Sequence, residues 1–185
     1  MPKVGLPLAA QPLWLPTENL AAGPWEPVCA PVRLATTAAS VSFASIPAQY
    51  VMFRLRYEII RDGTTSSYNF RFNNDSGANY SYEYLMGDNA TVSSGRVTGA
   101  TSINTSYFAV EASGHASGEL VIAKPIAGAA GLVVGGRAAV QTNIRVDSLV
   151  GIWSNTADLI NRIDITSNVD NLAAGSIFIL EGSKF

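Results

Sequence analysis

The sequence predicts an all-β protein: a two-sheet antiparallel sandwich, jelly-roll-like, behind an extended proline-rich N-terminal arm. Three observations carry this. Short segments between residues 40 and 181 alternate apolar and polar side chains with a period of two. No segment keeps a helical period over about 11 residues. Seven of the nine prolines lie within the first 31 residues.

The arm comes first in the chain. Its prolines stand at 2, 7, 12, 16, 24, 27 and 31. Each removes a backbone donor and blocks a helix interior, and each pushes the residue before it toward extended conformations. Residues 1–32 are therefore expected to form an extended arm, and residues 33–185 one β-domain. The arm also carries Leu6, Leu8, Leu13, Trp14, Leu15, Leu20 and Trp25, with only Lys3, Glu18 and Glu26 charged. Solvated linkers are polar or rich in Gly and Ser, so this segment needs a surface to lie on, its own domain's or a neighbour's. Leu13, Trp14, Leu15 and Trp25 are its expected assembly contacts.

The strands follow. Val41 and Phe43 alternate with Ser40 and Ser42. In the clearest strand Val51, Phe53, Leu55, Tyr57 and Ile59 share one face, and Met52, Arg54, Arg56 and Glu58 the other. Asp62-Gly63 then signals a hairpin, with Tyr68, Phe70 and Phe72 on the expected partner strand. The loop Asn73 to Asn79 precedes a tyrosine strand, Tyr80, Tyr82 and Tyr84. Further strands are expected over 106–111, 118–123, 136–147, 149–153, 160–166 and 176–181. Eight to ten short strands in about 150 residues indicate a sandwich or barrel, and long connections favour a jelly roll.

Composition narrows the function classes. Charged residues are 14% of the chain, against roughly 25% in an average domain, while apolar residues reach 48%. The net charge is −2 without a basic patch, so binding nucleic acid by phosphate neutralisation is not expected. Prolines interrupt any N-terminal signal helix, and no apolar run approaches the roughly 20 residues of a membrane span. Cys29, the single cysteine, allows neither an internal disulfide nor a cysteine-based zinc site, and is expected to be buried.

Candidate chemistry is sparse. His115 is the only histidine, and it sits in a Gly/Ser loop without a nucleophile elbow. Asp75, Glu83 and Asp88 are acids of a kind normal in strand-edge loops. Asn73, Asn74, Asp75 and Asn79 offer oxygen ligands, but their spacing fits Asx turns better than a Ca²⁺ loop. The stretch from Gly128 to Gly136 lacks the Lys-Ser/Thr of a phosphate loop. No enzyme activity, cofactor or metal is expected. Tyr80, Tyr82 and Tyr84 are the best binding candidates, either as an aromatic platform for a glycan or as core and subunit interface.

The order of certain segments resembles the β-sandwich structural proteins of tailed-bacteriophage virions. The residues that carry it are Phe53-Arg54-Leu55-Arg56-Tyr57, then Phe70-Arg71-Phe72-Asn73-Asn74-Asp75-Ser76-Gly77-Ala78-Asn79-Tyr80, then Ile163-Asp164-Ile165 and Ala173-Ala174-Gly175-Ser176-Ile177-Phe178-Ile179-Leu180-Glu181-Gly182. It spans roughly residues 50–185 and excludes the arm. The resemblance implies a virion component assembled in the host cytoplasm. The expected role is a capsid decoration (cement) protein held to the major capsid protein or another virion protein by its arm. The alternative is a carbohydrate- or receptor-binding module of a tail tip or fibre. A homo-oligomer is expected from the scarce charge, the glycine-rich run 126–140 and the apolar arm; shell geometry favours a trimer, with a dimer as the alternative.

Overall fold

The computed structural model describes residues 24–60, 62, 65–66, 68–88, 90–104, 110–111, 115–123, 128–140 and 144–184. These residues form an all-β molecule with two antiparallel sheets stacked as a sandwich. In chain order the strands are β1 (Glu26–Pro27), β2 (Val32–Arg33), β3 (Ser40–Phe43), β4 (Met52–Ile60), β5 (Thr65–Ser66), β6 (Tyr68–Phe72), β7 (Tyr80–Asp88) and β8 (Thr91–Ala100). They continue as β9 (Ile103–Asn104), β10 (Val110–Glu111), β11 (His115–Ala123), β12 (Gly131–Val140), β13 (Ile144–Trp153), β14 (Ile163–Ser167) and β15 (Ile177–Ser183). The large sheet runs β1-β15-β4-β11-β12-β13-β7-β8, with β2 also on β15. The small sheet runs β3-β14-β6-β9, and β5 and β10 pair separately.

The pairing is that of a jelly roll. A jelly roll is one long hairpin rolled up, so its strands pair in nested fashion from the outside inward. Here β3 pairs β14, β4 pairs β11, β6 pairs β9 and β7 pairs β8. Rolling then brings β14 beside β6 and β13 beside β7. The meander β11-β12-β13 occupies the place of a single strand, and β15 is added outside β4.

Side chains of period two meet between the sheets. Phe53, Leu55, Tyr57 and Ile59 point inward from the large sheet, as do Leu120, Ile122, Leu149, Phe178 and Leu180. Val41, Phe43, Tyr68, Phe70, Phe72, Ile163 and Ile165 face them from the small sheet. The expected core face of Phe53, Leu55, Tyr57, Phe70 and Phe72 is thus buried in one cluster.

Several sequence expectations are corrected. Asp62-Gly63 does not close a hairpin between β4 and β6, because these strands lie in different sheets. Turn chemistry in a sequence does not decide which sheet receives the strand that follows. The expected strand 136–147 joins the end of β12 to the start of β13, two antiparallel neighbours. Strand β8 has no counterpart among the expected strands. It is an edge strand with serines and glycines and little burial, so it shows no apolar alternation. Cys29 is exposed rather than buried, on the edge segment between β1 and β2.

The boundary expected at residue 32 falls inside the large sheet. Glu26 pairs with Gly182 and Pro27 with Glu181, while Val32 and Arg33 pair with Phe178 and Ile177. The Glu26 carboxylate also accepts the Tyr50 hydroxyl at 2.8 Å and bonds Lys184. The last part of the arm is therefore stitched to its own domain.

Candidate interaction surface

The two outer faces of the sandwich differ. On the small sheet the outward positions are polar. Ser42 and Arg162 surround the Asp164 carboxylate, Asn69 bonds Asn168, and Arg71 donates to the Thr101 carbonyl. On the large sheet the outward positions of the central strands include a block of apolar side chains, beside exposed Ser117 and Glu119 on β11 and Ser148 on β13. Leu132 and Val134 on β12, Val146, Val150 and Ile152 on β13, and Leu85 on β7 are each 44–63% exposed.

The register places these side chains in rows across the sheet. One row reads Arg54, Val121, Val134, Val150, Glu83, Arg96 from β4 to β8. The next reads Met52, Ala123, Leu132, Ile152, Ser81. Ion pairs flank the apolar middle. Arg54 and Arg56 bond Glu181 at 2.8 and 3.0 Å on one side. Arg96 lies 3.4 Å from Glu83 on the other. Two adjoining shallow depressions mark this second flank, one lined by Ser81, Tyr82, Glu83, Arg96, Val150 and Ile152 and the other by Glu83, Tyr84, Leu85, Ser148 and Val150. A contiguous apolar patch with a charged rim is the anatomy of an interaction site.

Sequence reasoning missed this surface although a signal was present. Leu132-Val133-Val134 and Leu149-Val150-Gly151-Ile152-Trp153 are continuous apolar runs, not alternating ones. In a strand such a run means that both faces seek cover. The glycines of the run 126–140 instead suggested a close approach between subunits. From residue 131 this run is a central strand paired on both sides. Gly135 faces inward, and a Cβ there would collide with the Leu120 side chain of the same chain.

The arm residues divide. Leu13, Trp14 and Leu15 lie outside the described residues. Trp25 is half-buried, and the Arg54 guanidinium sits over its ring, 5.0 Å from the centroid. Because Arg54 belongs to the outer face of β4, the arm joins the domain at the edge of the apolar surface.

The tyrosine strand faces inward. Tyr80 and Tyr82 are buried and Tyr84 is half-buried. Tyr84 lies across Gly95, its register partner, where a side chain would collide with the phenol ring. Tyr80 stacks on Trp153, with ring centroids 6.5 Å apart, and its hydroxyl accepts from the Phe72 amide at 3.0 Å. Burial pushes the Tyr80 pKa up to about 12. Tyr80 and Tyr82 are core and Tyr84 packs half-buried against it, so the three rings do not line up as an open platform for a glycan.

The Asn/Asp loop has a structural role. Asp75 accepts from the Trp153 indole at 2.8 Å, from Asn79 at 2.9 Å and from the Gly77 amide at 2.9 Å. The last of these closes an Asx turn. Asn73 and Asn74 take left-handed conformations, which asparagine tolerates better than most residues. The Asn73 side chain caps the amides of Asn161 and Arg162. His115 is exposed at the start of β11, with Nδ1 3.4 Å from Glu58 Oε1. Among the described residues no three His, Cys, Asp or Glu side chains converge on a metal position.

No family model, curated protein or solved structure matches the chain, and none identifies it as a phage virion protein.

Proposed function

We propose that this protein is a non-enzymatic structural component of a virion, a decoration or cement protein of a tailed-phage shell. Its partner in this reading is the major capsid protein, and the contact is made by the N-terminal arm and the apolar outer face of the large sheet. On the shell the copies group as trimers at local three-fold positions. The observation that carries the reading is the exposed row of Val134 and Val150 beside Leu132 and Ile152, on a sandwich whose other outer face is polar. A face of this kind stays soluble only when something covers it for part of its life. The jelly roll is compatible with a shell role, although a fold by itself fixes no function. The resemblance in segment order over residues 50–185 adds the virion context.

The glycan-binding alternative rests on Tyr80, Tyr82 and Tyr84, and their inward orientation removes its motive. Copy number on purified particles tests the proposal. Tens to hundreds of copies spread over the shell are expected. A few copies confined to the tail, or none, would refute it.

A further inference from the structure

We infer that the apolar outer face of the large sheet is the docking site of the arm of the same chain, with the segment Leu15–Leu20 lying across β11, β12, β13 and β7 in the isolated protein. The inference stands apart from the virion reading, and its test uses the purified chain alone.

The point where the arm leaves the domain sets the direction. Glu26 pairs with Gly182, so the chain read backward from Glu26 runs toward the Ser183 end of β15. Ser183 is in register with Met52, which begins the row Met52, Ala123, Leu132, Ile152. Trp25 already lies over Arg54, which begins the row Val121, Val134, Val150. The arm thus enters at the apolar end of the correct face.

The reach also matches. From β1 to β8 the large sheet has seven strand spacings, about 34 Å at about 4.8 Å each. A proline-rich extended chain advances about 3.1 Å per residue. Leu20 is five residues before Trp25, so it reaches about 16 Å, to β11 and Val121. Leu15 is ten residues before it and reaches about 31 Å, to β7 and Leu85. The arm's apolar side chains and the sheet's apolar side chains therefore span the same interval. The segment from Leu13 to Leu20 carries only Glu18, so docking desolvates little charge.

Tethering decides between this occupant and others. A segment joined to the face by a few residues acts at an effective concentration on the order of millimolar. A second molecule must supply its own concentration. Proline stiffness further lowers the ordering cost of docking.

The test replaces Thr17, which is eight residues before Trp25 and so reaches about 25 Å, to β13, with a photo-crosslinking phenylalanine analogue in the full chain and irradiates a mixture of light and heavy isotope-labelled protein. Crosslinks should map to peptides holding Leu132–Val134 or Val146–Ile152, without mixed-isotope products, and light scattering should show no growth of mass with concentration. In the Val134→Glu/Val150→Lys variant their yield should fall at least about fivefold at an unchanged circular dichroism spectrum. Ile152→Thr, a milder change, should lower it about twofold. Mixed-isotope crosslinks would show the arm on a second copy and overturn the inference. So would crosslinks elsewhere, or a dimer whose mass and face are indifferent to the arm.

Discussion

Replacing Asp75 with alanine probes the polar plug that seals one end of the sandwich. Its carboxylate accepts from the Trp153 indole, the Asn79 amide and the Gly77 amide, at 2.8, 2.9 and 2.9 Å. The three partners will not suffer equally. Gly77 is exposed and Asn79 half-buried, so water can replace the carboxylate there. Trp153 is fully buried between Phe72 and Tyr80. An indole donor stranded in the core costs about 1–3 kcal/mol, and the loss of a charge-assisted bond raises the cost to the upper part of that range. Asp75→Ala should therefore lower unfolding stability by about 2–3 kcal/mol in urea titration. Trp153→Phe removes the donor, so adding Asp75→Ala to it should cost about 1 kcal/mol or less, with a coupling of about 1.5–3 kcal/mol.

The same contacts set a pH dependence. Burial pushes the Asp75 carboxyl up, and its Trp153, Asn79 and Gly77 donors outweigh that push, leaving the pKa below the ordinary 3.8. A depressed folded pKa means stability that is present above 3.8 and is lost as pH falls through the folded value. Asp75→Ala should flatten the acid limb of the stability curve. An alanine variant within about 0.5 kcal/mol of the parent, the scatter of a neutral surface change, with no coupling to Trp153, would refute the plug.

Three further outcomes are expected. Phe53→Ala and Phe70→Ala, one from each sheet of the core, should each cost about 3–5 kcal/mol in thermal or urea unfolding, and no loss in either would refute the register. Gly135→Ala should cost about 1–3 kcal/mol, because its methyl group meets the buried Leu120 side chain and lies close to the Glu119 carbonyl. His115→Ala should leave folding and particle binding unchanged in melts and in occupancy on particles, since its contact with Glu58 is exposed and long.

How much was legible in the sequence depended on which force shaped each element. Strand β4 announced itself because one face is buried by Phe53, Leu55 and Tyr57 while the other holds Arg54 and Arg56 in reach of Glu181. The sheet that received β6 was not legible, since Phe70 and Phe72 need only an apolar layer opposite and many topologies supply one. Strand β8 was hidden by its composition: an edge strand needs only backbone pairing, here with β7, to form. The tyrosines of β7 were visible as a row, but their side of the sheet depended on Gly95, which lies on a following strand that itself was not legible, and on Trp153, about 70 residues away in sequence. The candidate surface was written in β12 and β13 as apolar runs without alternation. Glycine positions drew attention from it, because a glycine under a neighbour's side chain and one at a subunit axis look alike in one chain.

The measurement that tests the central claim most directly is the binding of purified shells by the Val134→Glu/Val150→Lys variant. Both positions are about half exposed, at 46%. The introduced lysine would stand in one row between Glu83 and the introduced glutamate, so charges alternate in sign and the fold is spared like-charge repulsion. Two charges set in the middle of an apolar contact should lower the affinity at least about tenfold while the melting temperature stays within a few degrees of the parent. Full occupancy of the shell by this variant, at parental affinity, would show that the protein meets its partner through some other surface.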